Sequence, residues 1–197
     1  MKLAERIRIE KVETLANDWA VLKKTTLAFQ RADGAWQTLT RETYDRGNGA
    51  TLLLINRERQ TVLLTRQFRY PAFVNGATDL LIEACAGLLD ARDAEAAIKQ
   101  EVEEELGVRV SAVSKIFESY MSPGSVTEKL HFFVAEYTAD DRIAAGGGVA
   151  HEGEDIEVLE VPFAEALAMI DRGEIVDGKT IMLLLYAQWK QLAAPRG

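Results

Sequence analysis

Residues 86–108 read AGLLDARDAEAAIKQEVEEELGV, and the reading of this stretch decides the fold. The apolar run at 80–86 predicts a strand that ends in a glycine turn at Gly87. A short acidic loop follows, then a helix that starts near Asp93 and stops at Gly107. At about 100° per residue, Glu101, Glu104 and Glu105 share one stripe of that helix. Ile98, Val102 and Leu106 lie on the adjoining stripe, which can face a core, while Gln100 and Glu103 point elsewhere. Carboxylates on neighbouring turns repel one another, so the cluster costs stability unless a cation sits among them. Oxygen-rich sites of this kind suit Mg²⁺ or Mn²⁺. A charge run is ordinarily a solvated face. Here the strand and the glycine turn fix where the stripe points, which favours the cation.

Upstream, residues 3–12 alternate apolar and charged, residues 19–30 read as a second strand, and Trp36 to Tyr44 form a third after a hairpin turn at Asp33-Gly34. Residues 1–45 thus make an N-terminal antiparallel β unit, and 46–197 the main domain. So small a sheet cannot bury both faces alone, so it must pack on the rest of the chain or on a second subunit. Beyond the turn-rich boundary at 45–49, strands are expected over 50–56 and 61–70, with cores apolar enough to be buried on both faces. The second ends in Arg66-Gln67-Phe68-Arg69. On a strand, Arg66 and Arg69 point to opposite faces, so one can reach a phosphate while the other serves the fold; a structural salt bridge is the alternative for each.

Downstream of the acidic helix, strands are expected over 110–120, 129–137 and 156–161, and helices over 163–172 and 179–192. Residues 140–153, with Gly146-Gly147-Gly148, read as a mobile loop closed by Glu154 and Asp155. His131 reads as a satisfied core histidine and His151 as solvent-facing. The order of elements predicts an α+β class, with a mixed sheet sandwiched between helices. The 197 residues make one domain or a domain with a small appendage. A net charge of −8 argues against binding nucleic acid or an anionic membrane. The single cysteine, Cys85, allows no intrachain disulfide and fits packing in a reducing cytoplasm. Neither a signal peptide nor an apolar run of about 20 residues is expected.

The acidic stretch resembles the Nudix box, G-x5-E-x7-R-E-U-x-E-E-x-G-U, where U is a bulky aliphatic residue. Glu101, Val102, Glu104, Glu105, Gly107 and Val108 fit its second half in register. The first half departs from it. The loop after Gly87 is one residue short, Asp93 is the nearest acid to the first Glu position, and Gln100 stands where an arginine usually orients a neighbouring glutamate. Stretches outside the box resemble the GDP-mannose pyrophosphatase branch: YDRGNGAT at 44–51, RQFR at 66–69, IEACAGLLD at 82–90, YMSPGSVTE at 120–128, GGGV at 146–149, EDIEVLEVP at 154–162 and DGKT at 177–180.

The resemblance implies a Nudix fold and Mg²⁺-dependent hydrolysis of GDP-mannose to GMP and mannose 1-phosphate. It also implies a homodimer with exchanged N-terminal β units. It makes Glu101, Glu104, Glu105 and Glu154 the catalytic set, with Glu152 competing for the part of the loop acid. Glu101, Glu105, Glu154 and the carbonyl of Ala86 become the metal ligands. Ala86, Gly87, Trp19, Arg41, Glu42, Arg69, Glu128 and Lys179 become substrate contacts, Trp19 by stacking on the base unless it is an ordinary core aromatic. An ADP-ribose pyrophosphatase, giving AMP and ribose 5-phosphate, is the alternative; a non-catalytic module that binds nucleotide sugars is a further one.

Overall fold

The computed structural model describes residues 2–149, 151 and 153–195, in two units: residues 1–48 with 120–129, and residues 49–119 with 130–197. The first unit is an antiparallel sheet of β1 (Ile7–Asn17), β2 (Val21–Gln30) and β3 (Trp36–Asp45) in that order. A single helical turn at Leu3–Arg6 takes the place of the strand start expected at residue 3. The β2–β3 hairpin closes where the sequence predicts: Gly34 sits at φ 86, and the Arg31 N–H donates to the Ala35 carbonyl at 2.8 Å. Register shifts between Ile9 and Lys11 and between Thr14 and Ala16 make β1 irregular. Residues 120–129 join this unit through backbone bonds from Tyr44 to Ser125 (2.8 Å) and from Thr127 to Tyr44 (3.1 Å). Within the single chain the sheet leaves Ile9, Val12, Leu15 and Trp19 exposed.

The second unit contains β4 (Gly49–Asn56), β5 (Thr61–Gln67), α1 (Tyr70–Val74), β6 (Leu81–Glu83), β7 (Cys85–Leu88) and α2 (Ala94–Leu106). These are followed by β8 (Ser114–Tyr120), β9 (Lys129–Glu136), β10 (Glu157–Pro162), α3 (Phe163–Asp171) and α4 (Gly178–Trp189). The sheet runs β10-β5-β4-β9-β8, with β6 paired to β5 and β7 to β4. It is mixed, because β4 is parallel to β9 and antiparallel to β5 and β7. Every residue of β4 is buried, as its uninterrupted apolar run requires. On one face Leu52, Leu54 and Leu63 pack with the apolar stripe of α2, Ile98, Val102 and Leu106, all fully buried. Leu53 alternates to the other side, where α4 packs on β4 and buries Leu183, Leu184 and Ala187. The sheet therefore lies between helices.

The structure also corrects the sequence reading within the second unit, where the strand expected over 110–120 begins only at Ser114. The strand expected over 61–70 stops at Gln67, because Pro71 opens α1; Arg69 is that helix's N-cap residue and does not share a strand with Arg66. The strand expected over 80–86 is two strands, since the chain leaves β5 at Glu83 and joins β4 at Cys85. Between them the Ala84 N–H has no ladder partner and donates to Thr180 Oγ1 at 2.7 Å. The stretch at 140–153 is tied down along much of its length: Ile143 and Ala144 donate to the Gly107 carbonyl, Gly147 to Glu105 and Gly148 to Glu104.

Candidate active site

The helix that carries the acids is fixed at both ends. Asp93, the nearest acid to the first Glu position of the box, caps it by accepting from the N–H groups of Glu95 (2.9 Å) and Ala96 (3.3 Å). Gly107 ends it in a left-handed conformation at φ 65. Between the caps, Glu103 turns outward to Arg109 (2.9 Å), as its place on the helix predicts. Gln100 does not turn away: its Nε2 donates to Glu104 Oε1 at 2.9 Å, four residues on.

Glu105 is the most constrained of the acids. Only 2 % of its surface is exposed, and among the described residues Oε2 has no hydrogen-bond partner. Burial pushes its pKa up to about 8; the Cys85 thiol beside it and the charge of Arg69 act against the shift, while the charges of Glu101 and Glu154 add to it. The Cys85 thiol is itself pushed well up by burial and by Glu105. Glu101 lies against the backbone of Gly87, where any Cβ would overlap its carboxylate. A glycine at the end of the β7 run is therefore what allows the acid to approach the Ala86–Gly87 backbone.

The triple glycine brings the loop acid to the same place. A Cβ on Gly146 would strike the Glu105 carbonyl, and one on Gly148 would strike the Glu154 side chain. Gly146, Gly147 and Gly148 all have positive φ. This backbone passes close over the end of α2 and presents the Val149 N–H, which donates to Glu154 Oε2 at 2.8 Å. Glu101, Glu105 and Glu154 are thus neighbours, with Glu104 turned to Gln100. The competing loop acid, Glu152, lies outside the described residues.

A second cluster adjoins the first. Glu83, buried at the end of β6, accepts from Arg69 Nε at 2.8 Å through one oxygen and from Lys179 Nζ at 2.5 Å through the other. Lys179 also pairs with Asp177 at 3.0 Å. Asp177 caps α4, accepting from the Thr180 N–H (3.0 Å) and hydroxyl (2.6 Å). Since Thr180 also receives the Ala84 N–H, the start of α4 is fastened to the step between β6 and β7. Two cations from remote elements thereby meet over one buried carboxylate, and Arg69, with 41 % of its side chain exposed, keeps an accessible face. Glu83 was missed by sequence reasoning. The signal was there: a single acid inside the apolar run LLIEACAG implies a buried partner.

In the first unit, Trp19 is 70 % exposed in the bend between β1 and β2, so it is not a core aromatic in the single chain. Arg41 and Glu42 are exposed on β3. Glu128 is buried and accepts from Arg46 Nε at 3.0 Å. His131, on β9, has its Nδ1 3.2 Å from Glu118.

The donor set fits a hard divalent cation: a buried carboxylate with one oxygen that has no hydrogen-bond partner among the described residues, two further acids beside it, and a backbone that the glycine lets Glu101 approach. Among the described residues, no three candidate ligands already converge on one point. Glu104 and Glu154 instead lean on protein donors, as mutually repelling carboxylates do.

Comparison with known proteins identifies the family. Residues 6–44 match the family model described as the GDP-mannose pyrophosphatase NudK N-terminal domain, and residues 45–184 match the NUDIX domain. A GDP-mannose pyrophosphatase of Citrobacter koseri is 53 % identical over 93 % of this chain and 96 % of its own. That of Klebsiella pneumoniae is 53 % identical over 92 % and 91 %. One from Escherichia coli is 51 % identical over 96 % and 99 %. A crystal structure of an ADP compounds hydrolase superposes with a TM-score of 0.72 at 17 % identity, over 94 % of this chain and 95 % of that one, a likeness of fold.

Proposed function

The chain belongs to the NUDIX domain family and is an enzyme of its hydrolase class, and we propose that it hydrolyses GDP-mannose to GMP and mannose 1-phosphate with Mg²⁺. The observation that carries this reading is that GDP-mannose pyrophosphatases match it at 51–53 % identity over almost the whole chain, N-terminal unit included.

Glu101, Glu105 and the backbone carbonyl of Ala86 would hold Mg²⁺, or Mn²⁺ in its place, with Glu154 joining from the glycine loop. When bound, the ion neutralises diphosphate charge and lowers the pKa of the attacking water. Glu105 would have to give up its proton to serve as a ligand, a loss that its burial opposes. Glu104 lies next to these ligands, steered by Gln100. Glu154 completes the set, as a ligand or as the acceptor of the water's proton. Arg69, braced by Glu83, offers a guanidinium to a phosphate, and Lys179 supports the same carboxylate from α4. Gly87 leaves room for the Glu101 carboxylate beside Ala86, and with Ala86 it would line the place of the diphosphate. Trp19 stacks on the guanine, while Arg41, Glu42 and Glu128 serve the nucleotide and sugar-phosphate.

We also place the protein in the cytoplasm as a homodimer that exchanges N-terminal β units. The apolar residues exposed on the first sheet, Ile9, Val12 and Leu15, support that assembly. Turnover of a substrate panel with identified products tests the reaction. GDP-mannose should lead, with GMP and mannose 1-phosphate in equal amounts. Preferred turnover of ADP-ribose to AMP and ribose 5-phosphate would overturn it.

A further inference from the structure

Gln100 stands where the box usually has an arginine, yet Glu101 and Glu104 are still held in place. The loop between β7 and α2 supplies the reason. Asp90 and Ala91 both adopt left-handed backbone, at φ 45 and φ 65. Non-glycine residues keep that conformation only where their surroundings enforce it. The double turn folds Arg92 back over its own loop. Its N–H donates to the Leu89 carbonyl at 2.7 Å, and its Nε returns to the same carbonyl at 3.2 Å. Nη2 donates to the Leu88 carbonyl at 3.2 Å and to Asp90 at 3.3 Å, and Nη1 donates to Gln100 Oε1 at 2.6 Å. Nη2 also stands 3.7 Å from Glu101 Oε1. Gln100 carries the contact onward, since its Nε2 donates to Glu104.

We propose that Arg92 is a positioning residue of this site, one that sets Glu101 directly and Glu104 through Gln100. The fork of guanidinium donors fits this work, because a single planar group can grip the loop carbonyls with some N–H groups and face the acids with others. Its charge also offsets the repulsion that the acidic stripe would otherwise feel. The proposal rests on the reading of Glu101 as a metal ligand.

The test is Mn²⁺ binding by titration calorimetry, with thermal melting alongside, for the wild type, Glu101→Gln, Arg92→Ala and the double variant R92A/Q100R. The wild type should bind and Glu101→Gln should not. Arg92→Ala should bind at least about tenfold more weakly, the usual effect of losing a group that orients a ligand. Adding Gln100→Arg should recover most of that loss, because it returns a guanidinium to the acids without restoring the grip on the loop carbonyls. Unchanged binding by Arg92→Ala overturns the proposal. So does a loss that Gln100→Arg leaves unrepaired, which would make Arg92 a brace for the loop alone. If wild-type binding does not depend on Glu101, the metal-site reading fails first and this one falls with it.

Discussion

Replacing Glu105 by Gln in the metal-free protein gives a stability difference whose dependence on pH follows from the structure. The carboxyl is buried, and its pKa is raised from 4.5 to about 8. Below pH 4.5 it is protonated in folded and unfolded chains alike, so its proton does not influence folding. Between pH 4.5 and 8 the folded chain keeps a proton that the unfolded chain has lost, so stability falls as pH rises; above 8 the loss is complete. Each tenfold in proton affinity is worth about 1.36 kcal/mol, which puts the full loss at roughly 5 kcal/mol. In Glu105→Gln the amide is neutral throughout, and this slope disappears. For a chain of this size, the gap in Tm between variant and wild type should therefore widen by roughly 10–20 °C from pH 4.5 to above pH 8. The assay is thermal or urea unfolding in chelator across that range, with Mg²⁺ added back at the high end. Added cation should stabilise the wild type and leave the variant unmoved. Parallel wild-type and variant curves would refute the reasoning, since Glu105 would then ionise as freely in the folded protein as in the unfolded chain.

The remaining expectations concern the groups that hold the acids. Gly87→Ala places a methyl group in the space of the Glu101 carboxylate, the movable end of a flexible side chain. The fold should survive with little change in Tm while kcat drops on the order of 100-fold, as a displaced catalytic group predicts; steady-state kinetics and melting on one preparation check both halves. Glu83→Gln removes the carboxylate shared by Arg69 and Lys179 and leaves Lys179 buried with Asp177 as its remaining partner. Breaking such a pair should cost about 3 kcal/mol in urea unfolding and raise KM, because Arg69 loses its brace.

Much of the site was legible because its logic is local. The stripe of Glu101, Glu104 and Glu105, the stop at Gly107 and the buried face of Ile98, Val102 and Leu106 all follow from helical spacing within a few turns. Gln100 shows the limit of that reading. Helical angle alone put it outside the stripe, but a side chain four residues from Glu104 can reach it, and the pull of Arg92 from the loop settles its direction.

The sequence by itself determined the family box, the buried character of β4 and β5, the hairpin at Asp33-Gly34 and the acids of α2. Each of these is written in residues that are near neighbours along the chain, where periodicity and turn chemistry act. Tertiary structure alone decided that residues 80–86 change partners at Ala84, that Arg69 and Lys179 meet on Glu83, and that the triple glycine lies over the end of α2. Lys179 is 96 residues from Glu83, and no periodic pattern links positions so far apart. Such contacts exist only once the sheet has chosen its strand order, because that order fixes which backbone groups are left unpaired and which buried charges must find one another.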